Sequence, residues 1–133
     1  MLLVEDSPLI AERLSEMVTS TAGLILAGVV DTEAAALSKV REGGIDLMLL
    51  DLHLRQGTGF GVLRAIAKFV KRPTVIVLTN YDLPDYRRGA TELGAEYFLD
   101  KGMEIDRLPG VIDEILARAI HADRSGGTRR PEP

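Results

Sequence analysis

The sequence contains no cysteine, no long apolar run and no excess of basic residues. Without cysteine, the chain forms neither a disulfide framework nor a thiolate metal site. Its apolar runs are far shorter than the roughly 20 residues of a membrane-spanning helix, and no basic segment precedes an apolar one as in a secretory signal. The net charge of −4 argues against a nucleic-acid-binding surface. We therefore expect a soluble, cytoplasmic protein that binds neither nucleic acid nor membrane directly.

The length and the composition are those of one ordinary globular domain. The 133 residues are 46% hydrophobic and 27% charged, which is close to average usage, and a chain of this length buries a sizeable core. From Ala122 onward the sequence is polar and offers no apolar anchor, so we predict a disordered tail or linker there. The predicted organisation is a domain over residues 1–121 and a tail over residues 122–133.

Apolar runs and helical patterns alternate along the chain. Short continuous apolar runs, which are typical of buried strands, lie at residues 2–4, 24–30, 46–50, 74–78 and 96–99. Helical patterns follow them at about residues 8–20, 32–42, 60–70, 84–93 and 111–119. Ser7, and either Asp31 or Thr32, are natural N-caps for the first two helices. Strict alternation predicts an α/β fold in which a doubly wound parallel sheet carries helices on both faces. The flavodoxin-like strand order 2-1-3-4-5 is one of the two common arrangements.

Polar residues follow four of the five predicted strands. Glu5 and Asp6 follow the first strand, and Asp51 follows the third. Thr79 follows the fourth strand, and Lys101 comes just after the fifth. Because ligands bind outside the carboxyl ends of the strands in such sheets, we expect these side chains to line one site. In the predicted order the first and third strands are neighbours, so Asp51 should lie beside the acidic pair.

The chemistry of these groups favours a metal-assisted phosphoryl site. Closely packed carboxylates repel one another unless a cation lies between them. Mg²⁺ prefers one or two carboxylates together with phosphate oxygens and water. An aspartate such as Asp51 can itself act as the nucleophile and form an aspartyl phosphate. Lys101 then offers a positive charge, and Thr79 a hydroxyl, to the remaining phosphoryl oxygens, and phosphoryl transfer depends mostly on such positioning.

With these residues in this order, the chain from Leu2 to about Ile120 resembles the receiver domain of two-component response regulators, whose fold is that of the chemotaxis regulator. The matching features are the acidic pair after strand 1, the aspartate after strand 3, the Gly-Thr-Gly loop at residues 57–59, the threonine after strand 4 and the lysine after strand 5. The resemblance implies a signalling protein in which Asp51 accepts a phosphoryl group from a sensor histidine kinase or a phosphotransfer protein, as in a phosphorelay.

The resemblance also implies roles for the surrounding residues. The implied ligands of Mg²⁺ are three carboxylates and one carbonyl oxygen, from Glu5, Asp6, Asp51 and the backbone of His53. Thr79 and Lys101 are implied to bind the phosphoryl oxygens. On phosphorylation Thr79 moves inward and Phe98 turns inward with it, so that the surface of helix 4, strand 5 and helix 5 changes its partners. Homodimers form through this surface in the family. Such a protein is not an enzyme beyond catalysing its own phosphorylation and dephosphorylation.

Four positions depart from the pattern of the family. Gly102 stands where a proline usually follows the lysine, and Arg55 replaces another common proline. Phe98 lacks the hydroxyl of the tyrosine often found there, which puts a hydroxyl-dependent switch in doubt. Asn80 occupies a position where alanine or glycine is frequent, and we expect its larger side chain to restrict access to the phosphoryl group.

Some polar residues near the site are expected to have ordinary structural roles. The side chain of His53 is interpreted as a loop residue beside the site rather than a metal ligand. Arg87 and Arg88 are expected on a solvated helix face. The alternative is a charged partner surface on the fourth helix, formed by Arg87, Arg88, Asp82, Asp85 and Glu92.

Three other functions remain as alternatives, and the first of them keeps the receiver fold. A receiver-like module that is never phosphorylated would act by interaction alone. A phosphatase resembling the haloacid dehalogenase family would use Asp51 as its nucleophile, but that family has an Asp-x-Asp motif where this chain reads Asp51-Leu52-His53, and this length leaves no room for a cap domain. A flavodoxin-like cofactor binder needs a phosphate-cradling loop after the first strand, where Glu5 and Asp6 would repel a phosphate.

Overall fold

A computed structural model describes residues 1–81 and 83–129, with side chains through residue 120. In this part of the chain, five strands and five α-helices alternate. The strands are β1 (Leu2–Val4), β2 (Gly28–Val30), β3 (Leu47–Leu50), β4 (Thr74–Thr79) and β5 (Tyr97–Asp100). The helices are α1 (Pro8–Thr19), α2 (Glu33–Glu42), α3 (Gly59–Ile66), α4 (Pro84–Glu92) and α5 (Leu108–Arg129). A short 3₁₀ turn (Ile105–Arg107) precedes α5.

The strands form one sheet in the order β2-β1-β3-β4-β5, and every pairing is parallel. This order confirms the predicted flavodoxin-like fold. In the register, Leu3 of β1 lies between Val29 of β2 and Leu49 of β3. Since β1 and β3 are neighbours and run in the same direction, the residues that follow them meet at one edge of the sheet.

Two apolar cores, one on each face of the sheet, hold the helices in place. Side chains alternate between the two faces along a strand. Leu2 and Val4 therefore pack in the core formed with α2, α3 and α4, whereas Leu3 packs in the core formed with α1 and α5. All four residues of β3 are buried, as expected for a parallel strand covered on both faces. The ends of the strands are left for polar side chains.

Side-chain caps begin three of the helices shortly after the strands that precede them. The hydroxyls of Ser7, Thr32 and Thr58 accept backbone N–H groups from the first turns of α1, α2 and α3 at 3.4, 3.1 and 3.0 Å. Each such cap stabilises a helix by about 1 kcal/mol. Thr32, rather than Asp31, is therefore the cap of α2. The early starts of α1 and α2 keep the loops after β1 and β2 to three and two residues, which limits the positions that their polar side chains can take.

Two elements are shorter than the sequence predicts. The predicted second strand spans residues 24–30, but β2 covers only its last three residues, and Ile25 is 82% exposed. β2 is an edge strand, so its length is set by β1, its one partner in the sheet. The predicted third helix reaches Val70, but α3 ends at Ile66. Beyond that residue the backbone N–H of Phe69 donates to the carbonyl of Ile66 at 3.0 Å, and this three-residue spacing is that of a tight turn.

The backbone of α5 is helical through Arg129, beyond the predicted domain end at residue 121. The predicted tail at residues 122–133 falls on residues whose side chains lie outside the described part, and residues 130–133 lie outside it altogether. The division at residue 121 therefore stays a prediction. None of the helices in the described part of the chain has the length and apolar character that a bilayer crossing needs.

Candidate functional site

The carboxyl edge of the sheet brings the predicted site residues together. Glu5 follows β1, Asp51 follows β3, Thr79 ends β4 and Lys101 follows β5. The sheet hydrogen bonding continues into these residues, since the N–H of Asp51 donates to the carbonyl of Val4 at 2.9 Å and the N–H of Lys101 to that of Thr79 at 2.9 Å. The backbone beneath the site is therefore held by the sheet rather than by flexible loops.

A buried ion cluster lies at the centre of this edge. Lys101 Nζ is 2.5 Å from Glu5 Oε1 and 2.8 Å from Asp51 Oδ2. The three side chains are only 7%, 3% and 6% exposed, respectively. Burial acts to lower the pKa of Lys101, but its hydrogen bonds and charge interactions with Asp51 and Glu5 outweigh burial and raise that pKa. Lys101 therefore carries a positive charge between two carboxylates.

Ionisation of the Glu5 carboxyl group is disfavoured. Burial raises its pKa from 4.5 to about 7, and repulsion from Asp51 adds to this effect, while the hydrogen bond with Lys101 opposes it. The protonated form of Glu5 therefore persists to a higher pH than that of an exposed glutamate. One ammonium group does not fully compensate two buried carboxylates.

Asp6 completes a group of three carboxylates that fits a divalent cation. Oxygens of Glu5, Asp6 and Asp51 all lie within 4.8 Å of one another, and Asp6 is exposed while the other two residues are buried. Three carboxylates and the single ammonium of Lys101 leave two negative charges, which a divalent cation would neutralise. Hard oxygen donors at a site open to water on one side are the environment that Mg²⁺ prefers. The residues present thus fit the predicted metal.

Both carboxylate oxygens of Asp51 are oriented by donors. The backbone N–H of His53 donates to Oδ1 at 3.2 Å, and Lys101 Nζ donates to Oδ2 at 2.8 Å. The carboxylate of Glu5 is held in a similar way, because its Oε2 accepts the backbone N–H of Ser7 at 3.2 Å. Two contacts on one carboxylate restrict its rotation, so Asp51 has one defined orientation in the site.

Thr79 is fully buried at the end of β4. Its hydroxyl oxygen accepts the backbone N–H of Tyr81 at 3.2 Å, and a hydroxyl in this role keeps its own proton to donate. Asn80, the next residue, is exposed. Asn80 is therefore open to solvent beside Thr79, and its predicted effect on access stays a prediction.

Aromatic contacts join the two loops that flank the site. The rings of His53 and Tyr81 are stacked with centroids 4.1 Å apart, and Tyr81 in turn lies 6.3 Å from Tyr86. The side chain of His53 is thus part of an aromatic contact, as suits a loop residue beside the site. The sequence gives no signal for the partner, Tyr81, because loop residues from different strands have no periodicity that relates them.

Phe98 and Arg87 form a contact that the sequence does not predict. Phe98 is 6% exposed and lies in an apolar core. The guanidinium carbon of Arg87 is 4.6 Å from the centre of its ring. Arg87 also donates to the carbonyl of Phe98 at 3.1 Å and to Glu104 Oε1 at 3.1 Å. The side chain of Arg87 is 42% exposed, so it lies on a partly solvated face of α4 while it also links α4 to β5 and to the turn that follows.

The expectation of a solvated face holds for the neighbouring Arg88. Its exposed side chain forms an ion pair with Asp85 one turn away. The difference between the two arginines follows from helix geometry, because consecutive residues point about 100° apart and only one of them faces β5. Asp82, another member of the alternative partner surface, lies outside the described residues.

The turn after Lys101 is organised without the proline common at Gly102. The Oδ1 oxygen of Asp100 accepts the backbone N–H groups of Gly102 and Met103 at 2.7 and 3.1 Å. The N–H of Glu104 donates to the carbonyl of Asp100 at 2.8 Å. An aspartate side chain that bonds its own backbone in this way stabilises a turn. Asp100 therefore helps to define the path of the chain directly after Lys101.

Comparison with known proteins agrees with the fold. The family model of the response regulator receiver domain matches residues 1–113. The chain belongs to this family, which makes it a receiver domain of two-component signalling.

Individual relatives show the same relationship. Protein-glutamate methylesterase/protein-glutamine glutaminase 5 of Myxococcus xanthus is 30% identical over 135 residues, which cover 99% of this chain and 39% of that protein. The solved signal receiver domain of a protein from Vibrio parahaemolyticus, described as a Luxo repressor, is 30% identical with a TM-score of 0.82, over 93% of this chain and 94% of that one. The Mn²⁺-bound form of response regulator Rcp1 is 29% identical with a TM-score of 0.67, over 86% of this chain and 88% of that one. The chain spans less than half the length of the curated relatives it matches.

Proposed function

We propose that this receiver domain accepts a phosphoryl group on Asp51 from a sensor histidine kinase or a phosphotransfer protein. The observation that carries the proposal is the buried cluster in which Lys101 Nζ lies 2.8 Å from Asp51 Oδ2 and 2.5 Å from Glu5 Oε1. A carboxylate placed at a strand end, with a fixed cation beside it, has the surroundings that a phosphoryl acceptor needs. An ion pair with only a structural role would not need the third carboxylate of Asp6 nearby.

In the proposed reaction, a carboxylate oxygen of Asp51 attacks the phosphorus atom of a phosphohistidine. The new P–O bond forms as the P–N bond of the donor breaks, and the donor imidazole leaves with the bonding electron pair. Lys101 and the hydroxyl of Thr79 then bind the phosphoryl oxygens, since both are donors at the same edge of the sheet. Their role is to neutralise and position charge rather than to form covalent bonds.

The proposed cofactor is Mg²⁺, held by Glu5, Asp6, Asp51 and the backbone carbonyl of His53. When bound, the cation neutralises the carboxylates and the phosphoryl oxygens that approach them. The structure of Rcp1 with Mn²⁺, at 29% identity, supports a divalent cation in a receiver of this type.

The proposed consequence of phosphorylation is a change in the face formed by α4, β5 and α5. Thr79 would turn its hydroxyl from the N–H of Tyr81 toward the phosphoryl group, and Phe98 is the proposed partner of this movement. Phe98 is already buried beneath Arg87, so any movement of its ring has to alter that contact. Homodimerisation through this face, and a change of signalling partner, are the proposed outputs.

The proposal places the protein in the cytoplasm, where its kinase partner presents the phosphohistidine. It assigns no enzymatic activity beyond self-catalysed phosphorylation and dephosphorylation, and no direct binding to nucleic acid or membrane. Asn80, exposed beside Thr79, is proposed to restrict the access of small donors and of water to the phosphoryl group.

The mass of the protein after incubation with Mg²⁺ and acetyl phosphate tests the proposal. We expect the gain of one phosphoryl group, which Asp51→Asn and omission of Mg²⁺ should both abolish. Asp46→Asn is the matched control, because Asp46 is an exposed carboxylate at the opposite end of β3, and this variant should gain the same mass.

A second probe is needed because Asn80 is proposed to restrict the access of small donors such as acetyl phosphate. Beryllofluoride, a small mimic of the phosphoryl group, should bind to the protein with Mg²⁺ and should not bind to Asp51→Asn. If neither acetyl phosphate nor beryllofluoride modifies or binds the site, the proposal is wrong, and an interaction module that works without phosphorylation becomes the better explanation.

A further inference from the structure

The loop after Asp51 is docked on the start of α2. We call residues 53–58 the site loop. Its backbone forms two hydrogen bonds with the residues around the cap of α2, from the N–H of Arg55 to the carbonyl of Asp31 at 3.0 Å and from the N–H of Glu33 to the carbonyl of Gln56 at 3.0 Å. Thr32 and Gln56 form an isolated parallel bridge between the same two segments. The site loop is thus tied to a helix on the far side of the sheet from α1 and α5.

Glu33 adds a side-chain contact to this junction. Its Oε1 accepts the backbone N–H of Thr58 at 3.1 Å. Thr58 is the N-cap of α3, and Glu33 is the first residue of α2. One carboxylate therefore lies at the beginning of two helices, where the helix dipoles favour negative charge.

Two glycines make room for this carboxylate. Gly57 has a φ of 80°, and a Cβ atom there would lie 2.5 Å from the Cβ of Glu33. A Cβ atom at Gly61, in the first turn of α3, would overlap Glu33 Oε1. The space that the Glu33 side chain occupies is therefore available only because positions 57 and 61 carry no side chain.

A short series of contacts runs from Glu33 to the acceptor carboxylate. Glu33 holds the N–H of Thr58, and Thr58 forms an isolated antiparallel bridge with His53. The N–H of His53 in turn donates to Asp51 Oδ1 at 3.2 Å. If the contact between Glu33 and Thr58 is lost, one restraint on the peptide group of His53 is lost as well. The N–H of this peptide group is the one that lies next to Asp51.

The pair of Asp31 and Arg55 supports the same junction more weakly. Arg55 Nε lies 2.9 Å from Asp31 Oδ2, and the pair also bonds through a second guanidinium nitrogen at 3.2 Å. Both side chains are about half exposed, at 61% and 45%, and exposed ion pairs contribute little to stability. The backbone N–H of Arg55 is the firmer contact, and a proline at this position would have no N–H to donate.

We propose that Glu33 is a positioning residue for the phosphoryl site, which holds the site loop so that Asp51 and the backbone of His53 keep the geometry that binds Mg²⁺ and the phosphoryl group. This inference rests on the proposed function for its kinetic consequence. Its consequence for metal binding and for the order of the loop does not depend on phosphorylation.

The size of the effect follows from one hydrogen bond. A net contribution of about 1 kcal/mol corresponds to roughly a fivefold change in the population of the docked loop. When only a minor fraction of the molecules has the docked loop, the apparent affinity for Mg²⁺ falls in proportion to that fraction. We expect Glu33→Ala to weaken Mg²⁺ binding, and to slow modification of Asp51 at Mg²⁺ concentrations below saturation, by about threefold to tenfold each.

The experiment compares Glu33→Ala, Glu33→Gln and Glu42→Ala. Glutamine keeps an oxygen that accepts the N–H of Thr58, so we expect it to restore both quantities to within about twofold of the original protein. Glu42 is an exposed glutamate at the other end of α2, and its replacement should change neither. Mg²⁺ affinity is measured by NMR titration, and amide hydrogen exchange at Thr58 and His53 reports the order of the site loop.

A merely structural role for Glu33 would give a different pattern. The midpoint of urea unfolding would fall in Glu33→Ala while Mg²⁺ affinity, exchange at His53 and the modification rate stayed equal to those of Glu42→Ala, and this result would overturn the proposal. If the unchanged protein is not modified at Asp51 at all, the proposed function fails, but weakened Mg²⁺ binding in Glu33→Ala with recovery in Glu33→Gln would still support the positioning role.

Discussion

Replacement of Glu5 by glutamine is expected to stabilise the metal-free protein while impairing its site. Glu5 is buried beside Asp51, and the ammonium of Lys101 is shared between the two carboxylates. Glutamine has nearly the shape of a protonated glutamate and carries no charge. The substitution therefore removes the repulsion and the burial of a charge without leaving a cavity.

The magnitude follows from the pKa of Glu5. The folded protein holds this pKa at about 7 against an ordinary value of 4.5, chiefly because burial disfavours the charged form. Between about pH 4.5 and pH 7 the folded state therefore binds more protons than the unfolded state, so the stability contributed by Glu5 is present at low pH and is lost as the pH rises through this window. A move of the pKa from 4.5 to about 7 corresponds to about 3 kcal/mol. At about pH 8, Glu5→Gln should raise the free energy of unfolding by up to this amount.

Urea unfolding at a series of pH values, in the presence of a chelator, measures the effect. The two proteins should have nearly equal stability at about pH 4.5 and should diverge as the pH rises to about pH 8. Addition of Mg²⁺ should reverse the order once the cation is at about 1,000 times its dissociation constant, because such a ligand stabilises the original protein by about 4 kcal/mol and Glu5→Gln has lost one ligand. Glu12→Gln, an exposed position on α1, is the control and should follow the original protein. A variant that is less stable at about pH 8, or a difference that does not shrink on acidification, would refute the reasoning.

Three further predictions concern the neighbours of this cluster. Lys101→Met leaves two buried carboxylates without their cation, and we expect a loss of about 3–5 kcal/mol at about pH 8 that shrinks toward lower pH, as measured by urea unfolding; a loss that does not depend on pH would contradict this. Arg87→Met removes the contacts with Phe98 and should lower the free energy of unfolding by about 1 kcal/mol, whereas Arg88→Met should change it by less than about 0.5 kcal/mol; equal effects would show that the Arg87 contact has no energetic role. Asn80→Ala should accelerate both phosphorylation by acetyl phosphate and dephosphorylation, as followed by intact mass, and unchanged rates would rule out a role in access.

The fold and the main site residues could be predicted because the relevant signals are local. A parallel strand buried on both faces is a continuous apolar run, so a polar residue at its end, such as Asp51, marks the boundary of the core. The predicted order then places Asp51 beside Glu5, and the register of β1 with β3 confirms it. Helix caps such as Ser7 are also local signals, since the side chain bonds the backbone three residues away.

The contacts that the sequence does not predict all join segments that are distant in the chain. Whether Arg87 faces water or Phe98 depends on how α4 packs against β5, and no pattern within α4 reports that packing. Glu33 looks like an ordinary glutamate in the first turn of a helix, and its contact with Thr58 depends on the docking of the site loop. The length of β2 is similarly set by β1, its partner, and not by its own apolar run.

Identification of the phosphorylated residue tests the central claim most directly. An aspartyl phosphate is an acyl phosphate, which borohydride reduces to an alcohol, so treatment after phosphorylation converts the acceptor aspartate to homoserine. Peptide mapping by mass spectrometry then reads the position. The account predicts homoserine at residue 51, none in Asp51→Asn, and none without Mg²⁺. Homoserine at another carboxylate, or equal labelling in Asp51→Asn, would contradict the assignment of Asp51 as the acceptor.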